Sequence, residues 1–310
     1  MRLAVVVPAT DSPPTLNRCL GAIQAAREPP DELVVVDAPA GAGPALARNV
    51  GVARSTAEIV AFVDSDVLVA PDAFVRIRRR FAEDPTLGAV FGAYDNELGA
   101  PGLVARFRNL LHHHVHARAP GPATTFWAGI GAIRRESVVN AGGFDAARYA
   151  RPSIEDVELG MRLAAAGERI LLDPQITGTH LKAWSLTQML RTDFAARGVP
   201  WVELLLERRH LPTDLNLGWR ERASAVLSLS TPVVVARGKL RGAAGCLIAF
   251  VALNRPFYGL LTRRLGVARA ALCVPLHMAH HLAGAAALLV GPVSYAIRRR
   301  RQTPGERPVP

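Results

Sequence analysis

Three cysteines in 310 residues, Cys19, Cys246 and Cys273, lie far apart in apolar surroundings. That scarcity and spacing exclude a disulfide framework and a cysteine ligand set for a metal. No leader segment is expected either, since Met1-Arg2 runs straight into the β-branched run Leu3–Val7. The N-terminal part is therefore expected to stay in the cytoplasm. The third shortage is of acid in the tail. Residues 221–310 carry 13 Lys and Arg against Glu221 and Glu306 alone, so the whole formal charge of +11 belongs there. Residues 1–220 are balanced, and the chain reads as two parts, 1–220 and 221–310.

A basic tail raises nucleic acid as a partner. Here the arginines punctuate long apolar stretches and do not line a polar face, and half of all residues are hydrophobic. Gly242–Leu253 and Val267–Ile297 are almost free of charge, and Arg298-Arg299-Arg300-Arg301 closes the second. Arginine flanking apolar helices is the pattern for membrane lipids with anionic headgroups, so no nucleic acid is expected. The alternative is a buried helical subdomain with a solvated basic end. The stretch 267–297 is long enough for a transmembrane helix, although Pro275, His277, His280, His281 and Pro292 interrupt it. Ala223–Ala236 and Gly242–Leu253 are each too short to span and suit an interfacial or re-entrant hairpin.

Along the first 95 residues, strand and helix patterns alternate. Strands are expected at Leu3–Val7, Leu33–Val36, Ile59–Val63 and Ala89–Phe91. Helices are expected after Ser12-Pro13-Pro14, over Ala45–Ala53 and over Asp72–Phe81. Such alternation gives an α/β fold with a doubly wound, mostly parallel sheet and flanking helices, ahead of the hydrophobic helical C-terminal segment. Ligands then collect at the carboxyl ends of the strands, where Thr10, Asp37, Asp64 and Asp66 fall. Residues 96–125 read as less regular, with His112-His113-His114 and His116 as a solvated or acceptor-facing segment. Thr125–Ile133 is strand-like and Gly142–Asp145 a turn. Ser153–Asp156 opens a helix over Val157–Ala166, Gly167 ends it, and Arg169–Leu172 is a strand followed by Thr179-His180.

Asp64-Ser65-Asp66 closes the buried-type run Ile59–Val63. Carboxylates at a strand end are hard oxygen ligands, suited to Mg²⁺ or Mn²⁺ carrying a phosphate-bearing substrate. They also suit the plainer task of capping the next turn.

The order of motifs resembles the family 2 inverting nucleotide-sugar glycosyltransferases of the GT-A fold. The matching pieces are Val5–Pro8, Val34–Asp37, Ala47–Gly51, Phe62–Asp66, Gly142–Asp145 and Glu155–Leu163. They are collinear and span about residues 1–210. The tail, with Leu253–Tyr258, resembles the membrane-associated C-terminus of many members. The resemblance implies a nucleotide-sugar donor, an acceptor hydroxyl or phosphate, and Mg²⁺ or Mn²⁺ as cofactor. The acceptor classes are a lipid-linked sugar, a cell-envelope glycan and a small natural product. It also implies the cell inner membrane, with the catalytic domain facing the cytoplasm.

By the same resemblance Pro8, Thr10, Asp37, Arg48, Asp64, Asp66, Trp127 and Gly129 bind the donor. Asp37 would accept from the base, although Ala38 replaces the family's second Asp and the usual Gly-Ser is absent. Asp66 would be the direct metal ligand, Asp64 would meet the ribose or a metal-bound water, and His180 would be an additional ligand. Asp156 would be the general base and Glu155 its orienting partner, at a helix N-terminus that stabilises the carboxylate. Each has a plain alternative: Arg48 a surface or capping side chain, Glu155 and Asp156 satisfying the helix start, His180 and Trp127 in the core. The segment from Lys182 to Trp201 is expected to form helices beside the acceptor, its aromatic and basic residues meeting a lipid phosphate or simply packing.

Two other readings make distinct demands. A nucleotidyltransferase usually shows a Gly-rich loop with Arg and Lys after the first strand, and Pro8–Ser12 has neither. A non-catalytic membrane scaffold on the same fold predicts loss of the carboxylates, which are all present.

Overall fold

The computed structural model describes residues 1–208 and 218–301. The boundary drawn at 220 from charge adjoins residues 209–217, and Glu306 lies at the far end; both 209–217 and 302–310 are outside the described residues. The chain divides into two compact units, Met1–Trp184 and the residues from Ser185 onward.

The first unit runs β1 (Leu3–Pro8), α1 (Leu16–Gln24), β2 (Glu32–Val36), α2 (Gly43–Arg54), β3 (Ile59–Val63), β4 (Val67–Val69) and α3 (Ala73–Glu83). It continues with β5 (Leu87–Tyr94), α4 (Leu103–Ala117), β6 (Gly121–Ala123), β7 (Ile130–Arg134), α5 (Arg135–Asn140), α6 (Glu155–Ala165) and β8 (Arg169–His180). The sheet order is β2-β1-β3-β7-β5-β8-β4, with β6 beside β8. β1, β2, β3, β5 and β8 run one way, while β4, β6 and β7 run against them. The sheet is thus mixed but mostly parallel, as the alternating pattern predicts. β1 and β3 are buried along their whole length, which is why both read as unbroken apolar runs without alternation.

The structure corrects the middle of the chain. Residues 96–125, expected to be irregular, contain the four-turn helix α4. Its histidines are only partly solvated: His116 is buried with Nδ1 on the Gly92 carbonyl at 3.1 Å, and the half-buried His113 has Nδ1 on the Tyr94 carbonyl at 2.7 Å. Two imidazoles of this polar-looking helix thus bond to β5. β7 begins only at Ile130, and 125–129 is a loop. β8 runs on to His180, and residues 181–185 are not helical. α6 starts at Glu155 without a side-chain cap; the Ser153 amide donates instead to Glu155.

The second unit, taken by itself, is helical: α7 (Leu186–Arg191), a π-helical turn (Thr192–Gly198), α8 (Val199–Arg208), α9 (Trp219–Ala236), α10 (Leu240–Leu253), α11 (Arg255–Leu265) and α12 (Val267–Arg301). Pro275 and Pro292 lie inside α12 without ending it. Among the described residues α12 is long and apolar enough to cross a membrane, and α10 with α11 passes the same test as a pair bent by 80°. Leu289, Ile248, Leu272 and Val293 stand exposed on these helices. Their inner side buries Phe250, Phe257 and Leu261 and also holds a polar group: His280 bonds Asp193 at 2.7 Å, and His277 meets both Tyr258 and His281 at 3.2 Å.

One contact fixes α6 against the loop before β7. A Cβ on Gly160 would fall 2.1 Å from the Phe126 backbone nitrogen. Gly→Ala inside a helix ordinarily stabilises, by about 1 kcal/mol. Here the steric conflict wins, and Gly160→Ala is expected to lower unfolding stability by about 1–3 kcal/mol in urea titration. Unchanged or raised stability would contradict this packing.

Candidate active site

The candidate residues gather because a tight turn and two strand pairings meet at the carboxyl end of β3. The chain leaves β3 at Asp64 and turns tightly, the Val67 amide donating to the Asp64 carbonyl at 2.9 Å. β3 pairs antiparallel with β7, and the Asp64 amide donates to the Gly129 carbonyl at 3.1 Å. The Trp127–Gly129 loop is thereby set beside Asp64. β4 pairs with β8 in a register that sets Val67 opposite His180, and the Leu181 amide donates to the Asp66 carbonyl at 2.8 Å. A three-residue strand thus carries a histidine from far along the chain to the Asp64-Ser65-Asp66 turn.

Arg48, on α2, is 3% exposed. Its guanidinium donates to Asp64 Oδ1 and to Glu155 Oε1, each at 2.8 Å. Glu155 is itself buried and takes the Ser153 amide on its other oxygen at 2.9 Å. Burial pulls the Arg48 pKa down, but Asp64, Glu155 and Asp156 outweigh it and hold the cation firmly charged. Arg48 is therefore no surface side chain. It is a buried link between the end of β3 and the start of α6.

Asp156 faces a different way. Its Oδ2 accepts from the Ala128 amide at 3.0 Å and its Oδ1 from the Val157 amide at 2.8 Å. Both carboxylate oxygens are thus oriented by backbone amides, in the first turn of α6 and beside the Trp127–Gly129 loop. Trp127 packs near His112, His116 and Tyr94, with ring centroids 4.6, 5.0 and 4.7 Å away. A Cβ on Gly129 would meet its ring at 2.1 Å, so the glycine is required by the indole lying over it.

The second carboxylate of the turn has other company. His180 Nε2 lies 3.4 Å from Asp66 Oδ2. Asn109 Nδ2 donates to the His180 carbonyl at 3.2 Å, which fixes the amide so that its oxygen faces His180 Nδ1 at 2.7 Å. An amide oxygen only accepts, so Nδ1 carries hydrogen; Nε2 then either donates a second hydrogen to the Asp66 carboxylate or, in the neutral ring, turns a lone pair toward it. Two facing acceptors need a positive partner between them, either a proton or a metal ion. Among the described residues no three His, Cys, Asp or Glu side chains form a preformed ion cage. A carboxylate and an imidazole with an oriented second shell nevertheless suit a divalent ion whose other ligands come from water and substrate phosphate.

The two aspartates differ electrostatically. Burial pushes the Asp64 carboxyl up; Arg48 pulls it back, Asp66 and Glu155 repel a further charge, and the net shift is upward. Burial also raises Asp66, but its bond with His180 and the charges of His180 and Lys182 prevail and hold it below the usual range. Pro8 and Thr10 are buried at the end of β1, where the Ala9 amide bonds the Val36 carbonyl and the Gly41 amide the Thr10 carbonyl, each at 2.8 Å. Asp37 stands exposed at the end of β2, on the same sheet edge. Asn109, on α4, carries no signal in sequence because that helix is not legible there, and neither does Tyr94 at the end of β5, whose ring stacks on His180 at 4.2 Å.

Residues 38–142 match the model of glycosyl transferase family 2. Pre-mycofactocin glycosyltransferases of two Mycobacterium tuberculosis strains, CDC 1551 / Oshkosh and ATCC 25618 / H37Rv, are each 31% identical over 155 residues. That alignment takes in 48% of this chain and 32% of each relative, so the chain spans about a third of their length. Among solved structures, the mannosyltransferase PcManGT from Pyrobaculum calidifontis in complex with GDP-Man and Mn²⁺ is similar in fold. Its TM-score is 0.53 at 17% identity, covering 93% of this chain and 87% of that one.

Breaking a buried ion pair from one side leaves the other charge stranded. Arg48→Met is expected to cost about 3–5 kcal/mol in chemical denaturation, and adding Glu155→Gln to restore part of it. A loss below about 0.5 kcal/mol for the single variant, the range of an ordinary surface change, would contradict the linking role.

Proposed function

We propose that this protein is an inverting, metal-dependent glycosyltransferase that moves a sugar from a nucleotide-sugar donor to an acceptor hydroxyl or phosphate. The observation that carries this reading is the division of labour among four carboxylates at one sheet edge. Asp64 and Glu155 are tied to Arg48, Asp66 faces His180 Nε2, and Asp156 takes the Ala128 and Val157 amides. Asp66 and His180, with Asp64 adjacent, would hold Mg²⁺ or Mn²⁺, which when bound neutralises charge on the leaving nucleotide.

Pro8, Thr10, Asp37 and Arg48 would frame the nucleoside side of the donor, and Trp127 with Gly129 would wall the sugar. Glu155 is committed to Arg48 and Ser153, so it positions the site without touching the acceptor. Asp156 is the general base. It takes the acceptor hydroxyl's proton as that oxygen attacks the anomeric carbon, and the sugar–phosphate bond breaks with its electron pair going to the phosphate oxygen. Attack opposite the leaving group inverts the centre.

The curated relatives' name supports a small natural product as an acceptor class; lipid-linked and cell-envelope acceptors fit the apolar second part of the chain. Residues 1–220 would be the catalytic domain and 221–310 a membrane-associated region. The exposed apolar face and length of α12 support contact with membrane lipids, at the inner membrane with the catalytic domain facing the cytoplasm.

Purified protein with Mn²⁺ is expected to release nucleotide from one member of a nucleotide-sugar panel, and EDTA to stop it. Asp156→Asn should lower kcat by about 10²–10⁴-fold while the variant still binds donor. Full turnover in that variant removes Asp156 from the base role, and full activity in EDTA removes the metal.

A further inference from the structure

The helical second unit, taken by itself, holds imidazoles that no step above uses. His277, His280 and His281 lie close together on α12, just past Pro275. His280 is engaged with the buried Asp193 carboxylate, its Nδ1 on Oδ2 at 2.7 Å. The other two face each other. Residues four apart on a helix are neighbours, and His277 Nε2 lies 3.2 Å from His281 Nε2. His277 is 2% exposed and His281 half-buried, so one ring is sealed and the other is within reach of water.

A shared hydrogen between two such nitrogens favours a straight bond. A straight N–H···N contact of that length sets the ring centroids about 5.5 Å apart. Here they are 4.8 Å apart, with the ring planes tilted by 41°. The nitrogens therefore meet obliquely. Two ligands of one ion meet in that way and at that spacing: Zn–N bonds of about 2.0–2.1 Å at a tetrahedral angle set the two nitrogens about 3.3 Å apart. The far side of His277 is prepared as well. Tyr258 Oη lies 3.2 Å from its Nδ1. A phenol oxygen can take the Nδ1 hydrogen, which leaves the lone pair on Nε2 as a metal ligand requires. Negative charge is near in Asp193, whose partner His280 has its ring centroid 5.3 Å from that of His281.

We propose that His277 and His281 form a binding site for one late transition-metal cation of the Zn²⁺ type. Each supplies Nε2, and Tyr258 orients His277 from behind. Water fills the remaining positions, since among the described residues no third His, Cys, Asp or Glu side chain completes a cage. Two neutral nitrogens favour Zn²⁺, Ni²⁺ or Cu²⁺ over Mg²⁺, which prefers oxygen. The ion has a structural task. Pro275 lies inside α12 just before the pair and removes a backbone hydrogen bond there. An ion held across residues four apart clamps the turn that follows. This site does not rest on the glycosyltransferase reading and stands or falls without it.

The test uses full-length protein with ¹⁵N-labelled histidine, titrated with Zn²⁺ at neutral pH. The imidazole ¹⁵N resonances are assigned by His277→Gln and His281→Gln; if the buried His277→Gln does not fold, Tyr258→Phe assigns His277 through the shift of its Nδ1. The Nε2 resonances of His277 and His281 are expected to move together and to saturate with one ion. His281→Gln is expected to raise the Zn²⁺ needed to move the His277 resonance by about tenfold or more. Mg²⁺ at the same concentration leaves both resonances in place. His180→Gln keeps the paired movement, because the Asp66–His180 pair takes no part in it. The proposal is overturned if neither resonance moves, if one moves without the other, or if His281→Gln needs no more Zn²⁺ than the wild type. An equal response to Mg²⁺, or loss of the paired movement in His180→Gln, overturns it as well.

Discussion

A guanidinium taken almost wholly out of water organises this site. Burying an isolated cation costs several kcal/mol even after relaxation, so Arg48 requires close, well-oriented carboxylates. It finds one at the end of β3 and another at the start of α6, each at 2.8 Å. Lysine would not serve equally, because only the planar fork can point two donors at two separate carboxylates in fixed directions. The sheet edge and the α6 N-terminus are therefore held in mutual register by an ion link that neither element supplies alone.

The remaining geometry follows from two backbone clips. β3 pairing with β7 brings the Ala128 amide to where it can orient Asp156. β4 pairing with β8 brings His180 to Asp66. Neighbouring aspartates in one turn consequently acquire different characters. Asp64 is raised and leans on Arg48, while Asp66 is lowered and faces His180 Nε2. A single Asp-x-Asp thus divides into a carboxylate anchored to Arg48 and one turned to His180.

Much of this was legible in the sequence where local pattern and tertiary role agree. β1, β2 and β3 are buried or half-buried β-branched runs, and their ends fall where the alternating pattern sets them. The collinear motifs likewise lead to the family 2 domain. What escaped were elements whose local signal is weak. β4 is three residues long and α4 is rich in histidine, yet they carry the register and the second shell of His180. The burial of Arg48 was equally illegible, because nothing local distinguishes a buried arginine on a short helix from a solvated one. Its partners lie 16 and 107 residues away.

The central claim is that the Asp66–His180 pair and the neighbouring strand ends form a metal-dependent nucleotide-sugar site. Calorimetric titration of nucleotide sugars into the full-length protein, with and without Mn²⁺, tests it most directly. The account predicts saturable binding of one nucleotide class that needs the ion and is lost in Asp66→Asn, with the variant still folded. Binding of equal strength without Mn²⁺, or unchanged in Asp66→Asn, would contradict it.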